Sequence, residues 1–127
     1  MITLPWPNPK LTPNAKRRSH WRAYRPAESG DRKTGYVLAT VALSLAQKRL
    51  LAAMDRIPVV IRFYPPDARK RDDDGMIGAF KHMRDGIADA LGVDDNKFRP
   101  VYEIMDPAKP GRVEVIFATI ASQEDCC

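Results

Sequence analysis

Long apolar runs are missing from this sequence: no stretch approaches the ~18 residues that a membrane-crossing helix needs. No basic and then apolar leader opens it either, so the expected location is the cytoplasm, with no membrane partner. Cysteine is scarce. The two present, Cys126 and Cys127, are adjacent behind Ser122, Gln123, Glu124 and Asp125, a spacing that suits neither a structural bridge nor a metal site. Residues 122–127 are therefore expected to be an untethered tail after one domain over residues 1–121. A chain of 127 residues is large enough for one core and too small for two. Its hydrophobic content of 44% and charged content of 29% are those of a globular protein. Acidic residues are outnumbered 16 to 21 by Lys and Arg, and the resulting net charge of +5 and pI of 9.4 favour a polyanionic partner.

Against that basic background, one acidic stretch stands out. Arg69, Lys70 and Arg71 are followed by Asp72, Asp73, Asp74 and Gly75, then by a helical run from Met76 to Leu91, then by Gly92, Val93, Asp94 and Asp95. Met76, Phe80, Met83, Ile87 and Leu91 recur at the helical period and form a core face. At about 100° per residue, Lys81 and Asp85 share an azimuth with Asp74, and Gly78 leaves that polar side open to close approach. Gly92 is placed to end the helix in a left-handed conformation. The carboxylates at the two ends converge only if the flanking segments fold back over the polar side.

Elsewhere the chain alternates between clear elements and one long irregular segment. Ile2, Leu4 and Trp6 alternate with Thr3, Pro5 and Pro7, which predicts an N-terminal edge strand limited by its prolines. From Pro7 to Arg32 the composition predicts a long loop, rich in Pro, Asn, Ser and Gly, with Lys16, Arg17, Arg18, Trp21 and Arg22 interleaved. Such a loop either binds nucleic acid, the cations, Arg25 among them, meeting phosphates and Trp21 or Tyr24 stacking on a base, or is a solvated basic loop whose aromatics pack on the domain edge. Arg69, Lys70 and Arg71 extend the same cationic series. Thr34 to Leu51 reads as one scaffold helix with Val37, Leu38, Val41, Leu45 and Ala52 near one side. Ile57 to Tyr64 reads as a strand, apolar on both faces and ended by Pro65-Pro66. Val101 to Met105 and Arg112 to Ile120 read as two strands of a hairpin. This order of elements predicts an α+β fold, a small mixed β-sheet with helices packed on one face.

Carboxylates packed together repel unless a cation lies among them, and hard oxygen donors suit Mg²⁺ or Mn²⁺. In a basic protein, Asp72, Asp74 and Asp95 around such a cation would suit phosphodiester hydrolysis, with Lys81 orienting a carboxylate or meeting developing charge. Each carboxylate also has a plainer reading. Asp74 suits a helix N-cap, Asp72 and Asp73 suit partners for the neighbouring arginines, and Asp94-Asp95 suits a turn. A calcium loop of the EF-hand type is disfavoured, because Asp72 as first ligand places Met83 where the bidentate Glu belongs.

Asp72-x-Asp74, the helix with Lys81 and Asp85-Gly86, and Gly92-Val93-Asp94-Asp95 together resemble the signature of the RusA family of Holliday-junction resolvases. Ile2-Thr3-Leu4-Pro5-Trp6-Pro7 and Pro110-Gly111-Arg112-Val113-Glu114-Val115 extend the resemblance over nearly the whole chain. It implies a homodimeric, Mg²⁺-dependent endodeoxyribonuclease that nicks four-way DNA junctions in recombination and repair. It also implies metal-ligand roles for Asp72, Asp74 and Asp95, with Asp94 contributing, and a supporting role for Lys81. The chain departs from the family pattern at Gly75, where Asn is usual, and at Gly78, where some members carry Lys. A basic DNA-binding module whose acidic cluster is structural is the alternative, from another class.

Overall fold

A computed structural model describes residues 1–120, so the tail at 122–127 and its two cysteines lie outside the described residues. Strand β1 (Ile2–Pro5) opens the chain, and a 3₁₀ turn over Pro9–Leu11 leads into helices α1 (Pro13–Arg18), α2 (Trp21–Ala42) and α3 (Leu45–Ala52). Then follow β2 (Ile57–Tyr64), α4 (Asp73–Leu91), a second 3₁₀ turn over Asp95–Lys97, β3 (Phe98–Ile104) and β4 (Arg112–Phe117). The four strands form one mixed sheet in the order β1-β4-β2-β3. This is the expected α+β architecture.

The sheet sides are set by alternation. Along β2, Ile57, Val59, Ile61 and Phe63 are buried, while Val60, Arg62 and Tyr64 are half-exposed on the other side. Val113, Val115 and Phe117 of β4 and Ile2 and Leu4 of β1 continue the buried layer. Onto this layer α4 lays Met76, Phe80, Met83, Ile87 and Leu91, the core face that its periodicity predicts. Phe63 lies at the centre, with its ring edge-on to Phe80 at 5.7 Å and to Trp6 at 6.1 Å. Burial of one such ring is worth roughly 1.5–3 kcal/mol. The opposite side of the sheet is not apolar, contrary to the reading of β2 as apolar on both faces. There Arg62 pairs with Glu103 at 3.1 Å, Arg112 pairs with Glu114 at 3.2 Å, and the Arg112 guanidinium lies 4.0 Å over the Tyr64 ring.

Three sequence expectations are corrected here. The segment from Pro7 to Arg32 is largely helical rather than a loop. Thr12 caps α1 by accepting from the Ala15 N–H at 3.2 Å, Pro13 fills its first position, and the His20 ring nitrogen accepts from Arg22 N to start α2. Second, the predicted helix from Thr34 to Leu51 is broken at Leu43-Ser44. Ser44 and Gln47 form a reciprocal capping box that begins α3 anew. Its packed side is also different, for α2 buries Gly35 and Ala39 while Val37, Val41 and Leu45 stay exposed. Third, the last two strands are not a hairpin. β3 runs parallel to β2, and β4 runs antiparallel between β2 and β1. Because α4 separates β2 from β3, the pair is a strand-helix-strand crossover, which is how parallel neighbours are joined. The linker after β3 crosses the end of β2, held by Met105 N donating to Phe63 O and Ala108 N donating to Pro65 O, each at 2.8 Å. The final strand stops at Phe117, and 118–120 turn helical.

α2 lies along α4 at backbone contact. A Cβ on Gly35 would meet Met83 O at 2.1 Å, and one on Gly86 would meet Arg32 O at 1.9 Å, so both positions require glycine. This crossing holds Arg32 of α2 beside Lys81, Asp85 and Asp89 of α4.

Candidate functional site

The acidic residues stand at the two ends of α4. Asp72 is the N-cap, its Oδ1 accepting from Asp74 N at 3.3 Å, and Asp73 and Asp74 lie in the first turn, where the helix dipole favours negative charge. The cap is therefore Asp72 rather than Asp74. Asp72, Asp73 and Asp74 are all exposed. They are not the partners of the neighbouring arginines, because Arg71 instead pairs with Asp67 at 2.9 Å and donates to the carbonyls of Asp67 and Arg69. That bond holds the Asp67 carboxyl below its usual range.

At the far end, Gly92 takes the left-handed conformation expected of it, with φ of 70°. Asp94 then caps the 3₁₀ turn by accepting from Asn96 N at 3.0 Å. Asp95 faces Asp85 on α4: burial, and after it a shared hydrogen bond and repulsion from Asp95, push the Asp85 carboxyl above its usual range. Arg84 approaches Asp95 at 3.6 Å and donates to the Tyr102 hydroxyl at 3.0 Å. Lys81 belongs to this second group, lining a hollow of 400 Å³ with Asp85, Asp94 and Asp95. Arg32 of α2 closes one side of it through a two-point bond to Asp89, at 2.7 and 2.9 Å, which lowers the Asp89 carboxyl from its usual value.

Asp72 and Asp74 are thus brought together, and Asp95 and Lys81 are brought together, but the two sets are not joined. Between Asp74 and Asp85 the helix rises roughly 16 Å at its standard pitch. Mg²⁺ holds its oxygen ligands at about 2.1 Å. Among the described residues no group of three or more His, Cys, Asp and Glu is placed to hold a metal ion, so within one chain Asp72, Asp74 and Asp95 do not fit a common cation.

The cations divide in a similar way. Lys16 is engaged inside the fold, its Nζ lying 2.7 Å from Glu28 Oε2 and 2.9 Å from His82 Nε2. Arg71 is mostly buried under the ring of Trp6, at 5.6 Å. Both therefore act as braces. Arg17 bonds Asn14 but remains exposed, and Arg18, Arg69 and Lys70 are exposed around the open end of α4. Trp21 is 46% exposed at the start of α2, with the guanidinium groups of Arg22 and Arg25 each 5.3 Å from its ring. Arg25 belongs to the cationic series of the basic segment, and its spacing of four from Trp21 sets the two on one face once the segment is helical. Glu28, His82 and Arg84 carry no such signal, since their roles depend on which helices meet.

The fold and these side chains define an α+β protein with a basic edge around the N-terminus of one central helix. No family model matches the chain. It is 37% identical over 123 residues to an uncharacterized protein of Xylella fastidiosa (strain Temecula1 / ATCC 700964), a match covering 97% of this chain and 78% of that one. The chain belongs to the same family as that protein. No helix of the described residues is long and apolar enough to cross a membrane.

Proposed function

We propose that this protein is a structure-specific endodeoxyribonuclease acting on branched DNA, in the manner of the RusA-type junction resolvases that its sequence resembles, and that it works in the cytoplasm as a homodimer. One observation carries the reading: Asp72 and Asp74 are exposed at the end of α4 that is ringed by Arg18, Arg69 and Lys70. Carboxylates amid cations weaken attraction for a polyanion, and a protein that only held DNA would gain from neutral residues there. Dependence on Mg²⁺, or Mn²⁺ in its place, belongs to the proposal through the resemblance. The separation of Asp95 from Asp72 and Asp74 favours the second reading, a DNA-binding module without activity.

One assay separates the two. The purified protein is incubated with a labelled four-way junction or a matched linear duplex, with Mg²⁺ or with EDTA. Paired nicks in the junction with Mg²⁺ alone, lost in Asp72→Asn and Asp74→Asn while binding persists, support the nuclease. Binding with no nicks under any condition supports the module, and nicks in EDTA overturn the metal requirement.

A further inference from the structure

A cleft of 730 Å³ lies between the segment after β1, the end of α1 and the loop before α4, and its floor is the first turn of that helix. Its volume lies within the range of about 300–1,000 Å³ seen for small-ligand pockets. Trp6, Pro66 and Met76 make an apolar inner wall, and Arg18, Arg69 and Lys70 make a cationic rim that outnumbers the two carboxylates on the lining, Asp72 and the Arg71-paired Asp67. The wall is preformed, since Trp6 is fixed edge-on to Phe63 and covered by Arg71, which is itself tied to Asp67.

Gly75 is the informative residue. Gly35, Gly86, Gly78 and Gly111 are each pressed by a neighbouring atom that a Cβ would meet at 3.0 Å or less. At Gly75 a Cβ would meet only Asp72 Cβ, at 3.8 Å, an ordinary contact, and Gly92 is the one described glycine with positive φ; Gly30 of α2 is equally uncrowded, but of the two only Gly75 lines the cleft. Neither packing nor backbone geometry requires glycine at Gly75, and within a helix glycine costs stability. What its missing side chain does is leave the cleft floor open.

We propose that this cleft receives one unpaired nucleotide of a DNA strand, its base against the Trp6 and Pro66 wall and its phosphate on Arg18, Arg69 and Lys70. The proposal rests on the DNA reading above and adds the form in which the strand is recognised. An apolar wall with a cationic rim matches a base joined to a phosphate, whereas a paired base is hidden inside its duplex. Only a strand with an exposed base can use both parts.

The test fills the floor without disturbing the fold. Gly75→Leu substitutes a better helix former where space exists, and its melting temperature should equal or exceed that of the native protein. A short fluorescein-labelled oligothymidylate, followed by anisotropy, should bind the native protein and bind Gly75→Leu about tenfold more weakly. Linear duplex should bind both alike, and thymidine monophosphate should displace the labelled strand where inorganic phosphate at the same concentration does not. Equal binding of the strand by both proteins, or equal displacement by phosphate, overturns the nucleotide cleft while leaving the DNA reading intact. Failure of the native protein to bind either strand or duplex overturns both.

Discussion

Gly86 and Gly75 lie on the same helix and predict opposite outcomes. Gly86→Ala drives a Cβ to within 1.9 Å of Arg32 O and should cost about 1–3 kcal/mol, because two helix backbones must separate. Gly75→Ala meets no obstacle and should add roughly 0.5–1 kcal/mol through helix propensity. Urea unfolding of the two variants beside the native protein checks both signs. Asp85 makes a further prediction at this scale. Burial and the facing Asp95 raise its carboxyl, so the folded protein binds a proton more readily there than the unfolded chain does. Its charge therefore costs stability at neutral pH, and the cost is relieved as pH falls through the raised value toward the ordinary value of 3.8. Asp85→Asn should raise the melting temperature at pH 7 by a few degrees, for about 1 kcal/mol, and abolish that relief on acidification. An unchanged melting temperature would show that neither burial nor Asp95 opposes its charge. Sequence period alone was enough to find the buried residues of α4 and the role of Gly92. It was not enough to show that Gly35 and Gly86 meet, because that depends on how two distant helices cross.

The short helix α1 has no buried residue of its own and is held by a polar junction to α2 and α4. Lys16, Glu28 and His82 meet there, with the Glu28 carboxylate 2.7 Å from Lys16 and 3.0 Å from His82. The bond from Lys16 holds the Glu28 carboxyl below its usual range, so its stabilisation is full above 4.5 and is lost as pH falls through the folded value. Burial, followed by the Lys16 charge, lowers His82, so the folded protein resists its protonation and stability begins to fall below about pH 6.5. Glu28→Gln should cost about 1 kcal/mol at pH 7 by weakening the link between Lys16 and α2, and should remove the loss below pH 4.5. Thermal melts across that range check this, and an unchanged melt at pH 7 would show that α1 is held by other contacts. The junction was hidden from sequence because its members lie on three elements, two of them in a segment read as loop. The Thr12-Pro13 start of α1 was legible in principle, but the abundance of Pro, Asn and Ser around it outweighed a two-residue signal. The Ser44-Gln47 box was likewise obscured by apolar positions that continue the period on either side.

At the scale of the molecule, Val37, Val41 and Leu45 are 44, 79 and 62% exposed along α2 and the start of α3. Val37 and Val41, four residues apart on α2, share one exposed apolar face, in contrast to the ion-paired outer side of the sheet. Sedimentation at micromolar concentration should show the proposed dimer, and Val41→Arg, at a position exposed in the single chain, should give a folded monomer. A dimer that persists in Val41→Arg would place the contact elsewhere. The sheet and its helical layer were legible because β2 and α4 each follow one clean period, and together they define the fold. Strand order was not, because a hairpin and a crossover differ in which partner a strand chooses, not in how the strand itself reads. The observed order also constrains how the molecule comes into being. β4, the last of the described strands to be synthesised, lies between β1 and β2, which are made far earlier. Until the ribosome has released β4, β1 has no strand partner, and β2 keeps one edge open to pairing with other chains. The nascent chain therefore carries its helices and the β2-α4-β3 unit in advance of a finished sheet, and its period of greatest exposure to aggregation lasts almost until β4 is complete.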